Sequence, residues 1–184
     1  MKIKKLRLGK KQWLAKALEV LAESGVDEIK VDSLAKALGM SRNGFYYHFR
    51  NRDQFLEELL NHWDHEYTRV ISSDTTIQRL SPEDRFEKVI EMVQQHKLSK
   101  YDLAIISWAK KDQRVRRVLK RVLARRLDFV GKIFEELGFT GDELEVRKRL
   151  VIVYHTNAGD IFDDYYSARS KQFHVRELKF LLKH

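Results

Sequence analysis

The chain has 184 residues, a formal net charge of +9 and no Cys, and it is long enough to bury on the order of 70% of its unfolded surface without a covalent staple. The missing Cys excludes a disulfide framework and thiolate metal sites. The opening MKIKKLRLGKK lacks the apolar stretch of a signal peptide, and no window approaches the ~18 apolar residues of a membrane span, so a cytoplasmic protein without a membrane partner is expected.

The basic arm KIKKLRLGKK comes first and reads as a disordered extension. It is either a solubilising tail or a strand that follows phosphates or enters a minor groove. Residues 1–50 hold 11 Lys or Arg against 5 Asp or Glu, and residues 51–184 hold 25 against 22, so most of the excess charge lies at the front. Such a patch concentrates polyanions, nucleic acid or anionic lipid, although many basic faces are merely solvated.

One Pro and eight Gly, with apolar residues at three- and four-residue steps, predict helices throughout. A first helix runs from about Lys10 to Ser24 with Trp13, Leu14, Ala17, Leu18 and Leu21 on one face, and SGVDEI breaks it. A short helix follows from about Val31 to Leu38, closed by Gly39, and Ser41 caps a second short helix. A long helix spans about Asp53 to Ile71. Ser81 caps the next, with Pro82 at its first position and acids in its first turn. Then come YDLAIISWAK, a helix from about Asp112 to Leu137 closed by Gly138, one from about Asp142 to Tyr166, and a last one from about His174.

Residues 31–50 have the layout of a helix-turn-helix. Ala35 permits close approach, Leu34 and Leu38 point inward, and Phe45 and Phe49 anchor the second helix from one face. The other face then presents Arg42, Asn43, Tyr46, Tyr47 and His48. In such a module the second helix enters the major groove. Arg42 suits guanine and Asn43 suits adenine. Tyr46 and His48 can reach phosphates, Tyr47 a thymine methyl or the backbone, and Arg52 adds charge where helix amides attract an anion.

The stretch from Val31 to Leu56, VDSLAKALGMSRNGFYYHFRNRDQFL, resembles the DNA-binding signature of the TetR family of bacterial transcriptional regulators, roughly L-A-x-x-L-G-V-S-x-x-x-[FL]-Y-x-[HY]-F-x-[ST]-[KR]-[DE]-x-[LF]. The resemblance covers about a third of the chain. It implies an all-α fold of about nine helices: a three-helix DNA-binding domain, residues 1–50, joined by a long fourth helix to a helical effector-binding and dimerisation bundle, residues 51–184. It implies Tyr46, His48 and Arg52 as phosphate contacts and Arg42, Asn43 and Tyr47 as base readers. Lys30 stands where the family commonly has a capping Thr and is counted among the DNA contacts, and Asn43 replaces a frequent Gly. The implied partners are an inverted-repeat operator in double-stranded DNA, a second copy of the chain through the last two helices, and a small effector that releases a repressor from DNA.

Other stretches admit more than one reading. RVRRVLKRVLARRL, residues 114–127, has the composition of a membrane-surface helix or an anion-binding wall, or else of a bundle helix with a solvated basic face. The first of these defines the alternative to a regulator, a basic scaffold that binds membrane. An anion-binding wall makes an acidic effector attractive. His155, Asp160, Asp163 and Asp164 are poorly aligned for a metal and read as structural or solvated, and Ala158 and Gly159 suggest close pairing of helices across a dimer. An effector pocket is expected among helices five to eight, with Trp63, His96, Tyr101, Trp108, Tyr154 and Phe162 as the candidates to line it, each of which reads equally as a packing residue. With no Gly-x-Ser-x-Gly elbow, phosphate-binding Gly loop, zinc signature or Glu-x-x-His pair, neither an enzyme nor a cofactor is expected.

Overall fold

The computed structural model describes residues 2–167, 176 and 180–183, with side chains from residue 9 onward. Among the described residues there is no strand, and eight helices have seven residues or more. The ninth expected helix, from His174, lies largely outside the described residues.

Helix α1 spans Lys2–Ser24, so the basic arm continues the first helix instead of forming a disordered tail. Lys, Leu, Ile and Arg dominate the arm and are good or fair helix formers, and a single Gly at position 9 does not break it. After a 3-10 turn at Val26–Glu28 come α2, Val31–Leu38, and α3, Arg42–His48. Gly39 closes α2 at φ 61°, a left-handed conformation that side chains disfavour. The Ser41 hydroxyl accepts from the Gly44 amide at 3.1 Å and begins α3. Removing this cap in Ser41→Ala should lower stability by about 1 kcal/mol, read as a lower urea midpoint with an unchanged slope. An unmoved midpoint would show that water caps the helix equally well.

Helix α4, Arg52–Asp64, runs through a π-helical turn at His65–Arg69 into α5, Val70–Ser72. Asp74 caps the single turn α6, Thr75–Gln78, and Ser81 caps α7, Pro82–Gln95. Helix α8 is Asp102–Ala109, α9 is Gln113–Glu136 and α10 is Gly141–Ile161. The last ends five residues before the expected Tyr166. The chain leaves the helix so that two rings can fold back: Tyr165 is buried with its hydroxyl 2.6 Å from His155 Nδ1, and the Tyr166 hydroxyl lies 3.0 Å from Ser99 Oγ.

Two large clusters hold the fold. The first joins Trp13, Leu18, Phe45, Phe49, Phe55 and Trp63 to Tyr101, Ile105, Trp108, Val115 and Val122, so one apolar mass runs from α1 and α3 into α8 and α9. The second gathers Phe86, Ile90, Ile133, Phe134, Phe139 and Val151. Each fully buried large side chain contributes roughly 1.5–3 kcal/mol relative to exposure. Ala158 and Gly159 are used inside the chain. Ala158 is buried, and a Cβ on Gly159 would stand 2.3 Å from the Tyr166 hydroxyl.

Candidate nucleic-acid interface and the cavity behind it

The α3 helix is fixed from behind by aromatic rings. Phe45 and Phe49 are buried with centroids 5.0 Å apart, and Phe45 meets Trp13 edge-on at 5.4 Å and Phe55 at 5.0 Å. With that face buried, helical geometry leaves Arg42, Asn43, Tyr46 and Tyr47 on the exposed side. Tyr47 is 67% exposed and Tyr46 49%, high for rings of this size.

Electrostatics order the edges of this face. Arg42 Nε lies 3.1 Å from Asp32 Oδ1 across the α2–α3 corner, both side chains being exposed. Such a pair stabilises little. His48 is half-buried where α1 passes close, since a Cβ on Gly9 would come 3.2 Å from His48 Nε2. Burial, and then nearby Lys10, lower the His48 pKa from its ordinary 6.5, so the ring is neutral at neutral pH.

Two expected contacts are placed differently from the rest. Arg52 turns back: its Nη2 donates to the Val26 carbonyl at 2.9 Å and its Nε to the Ile29 carbonyl at 3.4 Å. It thus ties the start of α4 to the 3-10 turn and to the residue that follows it. Lys30 occupies the N-cap of α2 without a side-chain cap bond, and its ammonium pairs with Glu28 at 2.9 Å. Arg50, which the sequence reading passed over, is exposed just beyond α3. Its place after the Phe49 anchor is the signal that could have singled it out.

Behind the head, a cavity of about 80 Å³ opens between the π turn and α5, α7, α8, α9 and α10. Its wall is mostly aliphatic, including Ile71, Val89, Ile90, Val93, Val130 and Val151, with Thr68, Ser99, Asp102, Arg126, His155 and Thr156 as polar groups. None of the six residues expected to line a pocket lines this one. Trp63 and Trp108 are buried in the first cluster, and Tyr101 packs edge-on against Tyr67 at 5.2 Å. His96 is exposed. Tyr154 packs against Tyr165 at 6.0 Å and Phe162 at 6.3 Å, and Phe162 is half-exposed. The large rings serve the head's core and the end of α10, and branched aliphatics are left to shape the cavity.

An ionic seam joins cavity and head. Asp64, fully buried on α4, accepts from Arg69 Nε at 2.8 Å and Arg125 Nη1 at 2.5 Å. Asp102 is 2% exposed. It accepts from Arg126 Nη1 at 2.5 Å and Nη2 at 3.2 Å, and from Trp63 Nε1 at 3.0 Å. Arg126 Nε donates to Thr68 Oγ1 at 2.9 Å, and its guanidinium lies 5.6 Å from the Trp63 ring centroid, within cation–π range.

The basic segment 114–127 is therefore divided. Arg125 and Arg126 turn inward, Arg114, Arg116, Arg117, Lys120 and Arg121 stay exposed, and Val115 and Val122 are fully buried. The apolar face that a membrane-surface helix needs is occupied by the core, which removes the physical basis of the scaffold reading. No described helix is long and apolar enough to cross a membrane, and no group of three metal-ligating side chains occurs among the described residues.

The fold and this face define a class: an all-helical protein with an amino-terminal helix-turn-helix. Residues 14–59 match the family model described as bacterial regulatory proteins, tetR family. No curated protein sequence matches the chain. Among solved structures, a transcriptional regulator from Rhodococcus sp. Rha1 superposes with a TM-score of 0.69 at 15% identity, covering 94% of this chain and 93% of that one. A putative TetR-family regulator from Mesorhizobium loti MAFF303099 gives 0.66 at 16% identity, covering 96% and 94%. BioQ, solved with its natural double-stranded DNA operator, gives 0.50 at 18% identity, covering 95% and 98%. At 15–18% identity these structural matches show a shared all-helical fold.

Proposed function

We propose that the protein is a sequence-specific repressor that binds an inverted-repeat operator as a homodimer in the cytoplasm and leaves it when a small molecule enters the cavity. Residues 1–50 serve as the reading head and residues 51–184 as the effector-binding and dimerisation body. The observation that carries the reading is the α3 face, with two buried Phe anchors behind an exposed Arg42, Asn43, Tyr46 and Tyr47. Asn43 and the Arg42 fork read base edges. Tyr46 and His48 hold phosphates, with Lys30 and Arg52 at the edge of the contact, where Arg52 acts by fixing the turn before α2.

Dimer formation is favoured by a stripe of α10 that is exposed among the described residues. Val146, Leu150 and Val153 are 54–60% exposed and Ile161 65%, at spacings that keep them on one face. Pairing two such stripes sets the separation of two α3 helices, which half-sites about one helical turn apart would meet. The effector acts through Asp102 and Trp63, which join the cavity wall to α4, with a coupling typically of ~1–3 kcal/mol.

A mobility-shift titration with fragments of the source genome tests the reading. Retention of a few fragments sharing an inverted repeat is expected, with a salt slope of roughly −0.9 per neutralised phosphate. Uniform retention of random DNA would count against it. Tyr46→Phe should weaken all sites alike, and Asn43→Ala should relax the preference at one base by ~1–3 kcal/mol. Equal losses on every sequence for both variants would overturn the assignment of roles.

A further inference from the structure

We infer that the cavity takes an uncharged, mainly apolar molecule, and that organic acids and amines are poor ligands for it. The inference rests on the reading of the cavity as the effector site and names the chemical class of that effector.

Only two fully charged side chains, Asp102 and Arg126, stand in the cavity wall among the described residues, and each already satisfies the other. The guanidinium has five N–H donors, and four contacts are accounted for: Nε to Thr68, Nη1 to Asp102, and Nη2 to Asp102 and, at 3.4 Å, to the Tyr67 carbonyl. Both Asp102 oxygens accept from Arg126, and one also takes the Trp63 indole. An incoming carboxylate would have to draw Arg126 away and strand a carboxylate that is 2% exposed. An incoming ammonium would meet an acid already neutralised. Removing one partner from such a pair is strongly unfavourable, so either charge loses most of what it gains on entry. A neutral molecule leaves the pair intact.

The rest of the wall fits that molecule. Apart from this pair, branched aliphatics and Phe129 dominate, and the cavity of about 80 Å³, smaller than the ~300–1,000 Å³ of ordinary small-molecule sites, must widen between its helices as a ligand enters. The Ser99 hydroxyl is already 3.0 Å from the Tyr166 hydroxyl, and His155 Nδ1 is 2.6 Å from the Tyr165 hydroxyl. The cavity therefore selects chiefly by apolar bulk, and the ligand works as a wedge between α7, α9 and α10. The acidic effector that the basic run at residues 114–127 suggested is disfavoured, because the one Arg of that run in the wall is already engaged.

The test is competition for the neutral fluorophore N-phenyl-1-naphthylamine bound to the full chain at pH 8, with 1-decanol, decanoate and decylammonium as equal-length competitors. Decanol should displace the fluorophore at a concentration at least ten-fold lower than either ion. Decanoate or decylammonium competing as well as decanol would overturn the inference, as would failure of the fluorophore to bind. Ser72→Trp, at the cavity wall, should cut fluorophore uptake at least five-fold with helicity unchanged. Should that variant unfold, Val93→Phe serves in its place, and undiminished uptake in a folded variant places the ligand elsewhere and overturns the assignment. A parallel mobility shift separates the two claims: decanol that competes but leaves the DNA complex intact supports the ligand class while removing effector release. Absence of any preferred DNA site in the ligand-free protein strikes only the regulator reading.

Discussion

Phe45→Ala is expected to lower stability by about 3–5 kcal/mol and to abolish preferential DNA binding. The ring is fully buried and touches Trp13, Phe49 and Phe55 within centroid distances of 5.0–5.4 Å. Its removal forfeits the transfer term and leaves a cavity that flanking aromatics are too rigid to fill. Helix α3 has seven residues, too few to persist without tertiary support, so the loss falls first on the reading face. Urea denaturation gives the stability change and a mobility shift gives the affinity. A drop under 1 kcal/mol, or unchanged operator preference at a temperature where the variant is folded, would show that α3 is held by something other than these rings. Tyr47→Ala serves as the contrast, since a 67% exposed ring leaves folding nearly unchanged.

Asp102→Leu should be of similar size for a different reason. The substitution leaves the Arg126 guanidinium, whose side chain is 15% exposed, without its carboxylate and leaves the Trp63 indole N–H without its acceptor. Breaking a buried pair by removing one member typically costs about 3–5 kcal/mol, whereas replacing both members with apolar residues is often neutral. The double variant Asp102→Leu with Arg126→Met is therefore expected to regain most of the stability lost by the single one. The double-mutant cycle isolates the coupling. Additive losses would mean that water, not Arg126, neutralises Asp102.

The reading head was legible because its signals are local. Gly39 and Ser41 mark the corner, and Phe45 and Phe49 lie four residues apart, so each could be read within a ten-residue window and each stands in its expected place. The cap at Ser81 was legible for the same reason. The cavity was not. Its wall is drawn from separated segments, and Val89, Val130 or Val151 on its own helix is indistinguishable from an ordinary core position. Trp63, Tyr101 and Trp108 were candidates for both ligand contact and packing, and their size is what fills the core beside α1. Nor does a wheel drawn for α9 reveal that Arg125 and Arg126 turn inward. Their partners, Asp64 and Asp102, lie 61 and 24 residues away, and a buried Asp in YDLAIISWAK reads as a first-turn acid. The π turn carries no Pro or Gly to announce it. The early end of α10 was hidden too, since it follows from where Tyr165 and Tyr166 find room.

The seam between α4, α8 and α9 also bears on how this sequence can drift. An apolar pair at positions 102 and 126 would serve the fold about as well as the charged one, yet any path of single replacements between the two crosses an intermediate with a stranded charge. That valley is several kilocalories deep for a molecule whose whole margin is roughly 5–15 kcal/mol. Such a barrier favours change at both residues together over change at either alone.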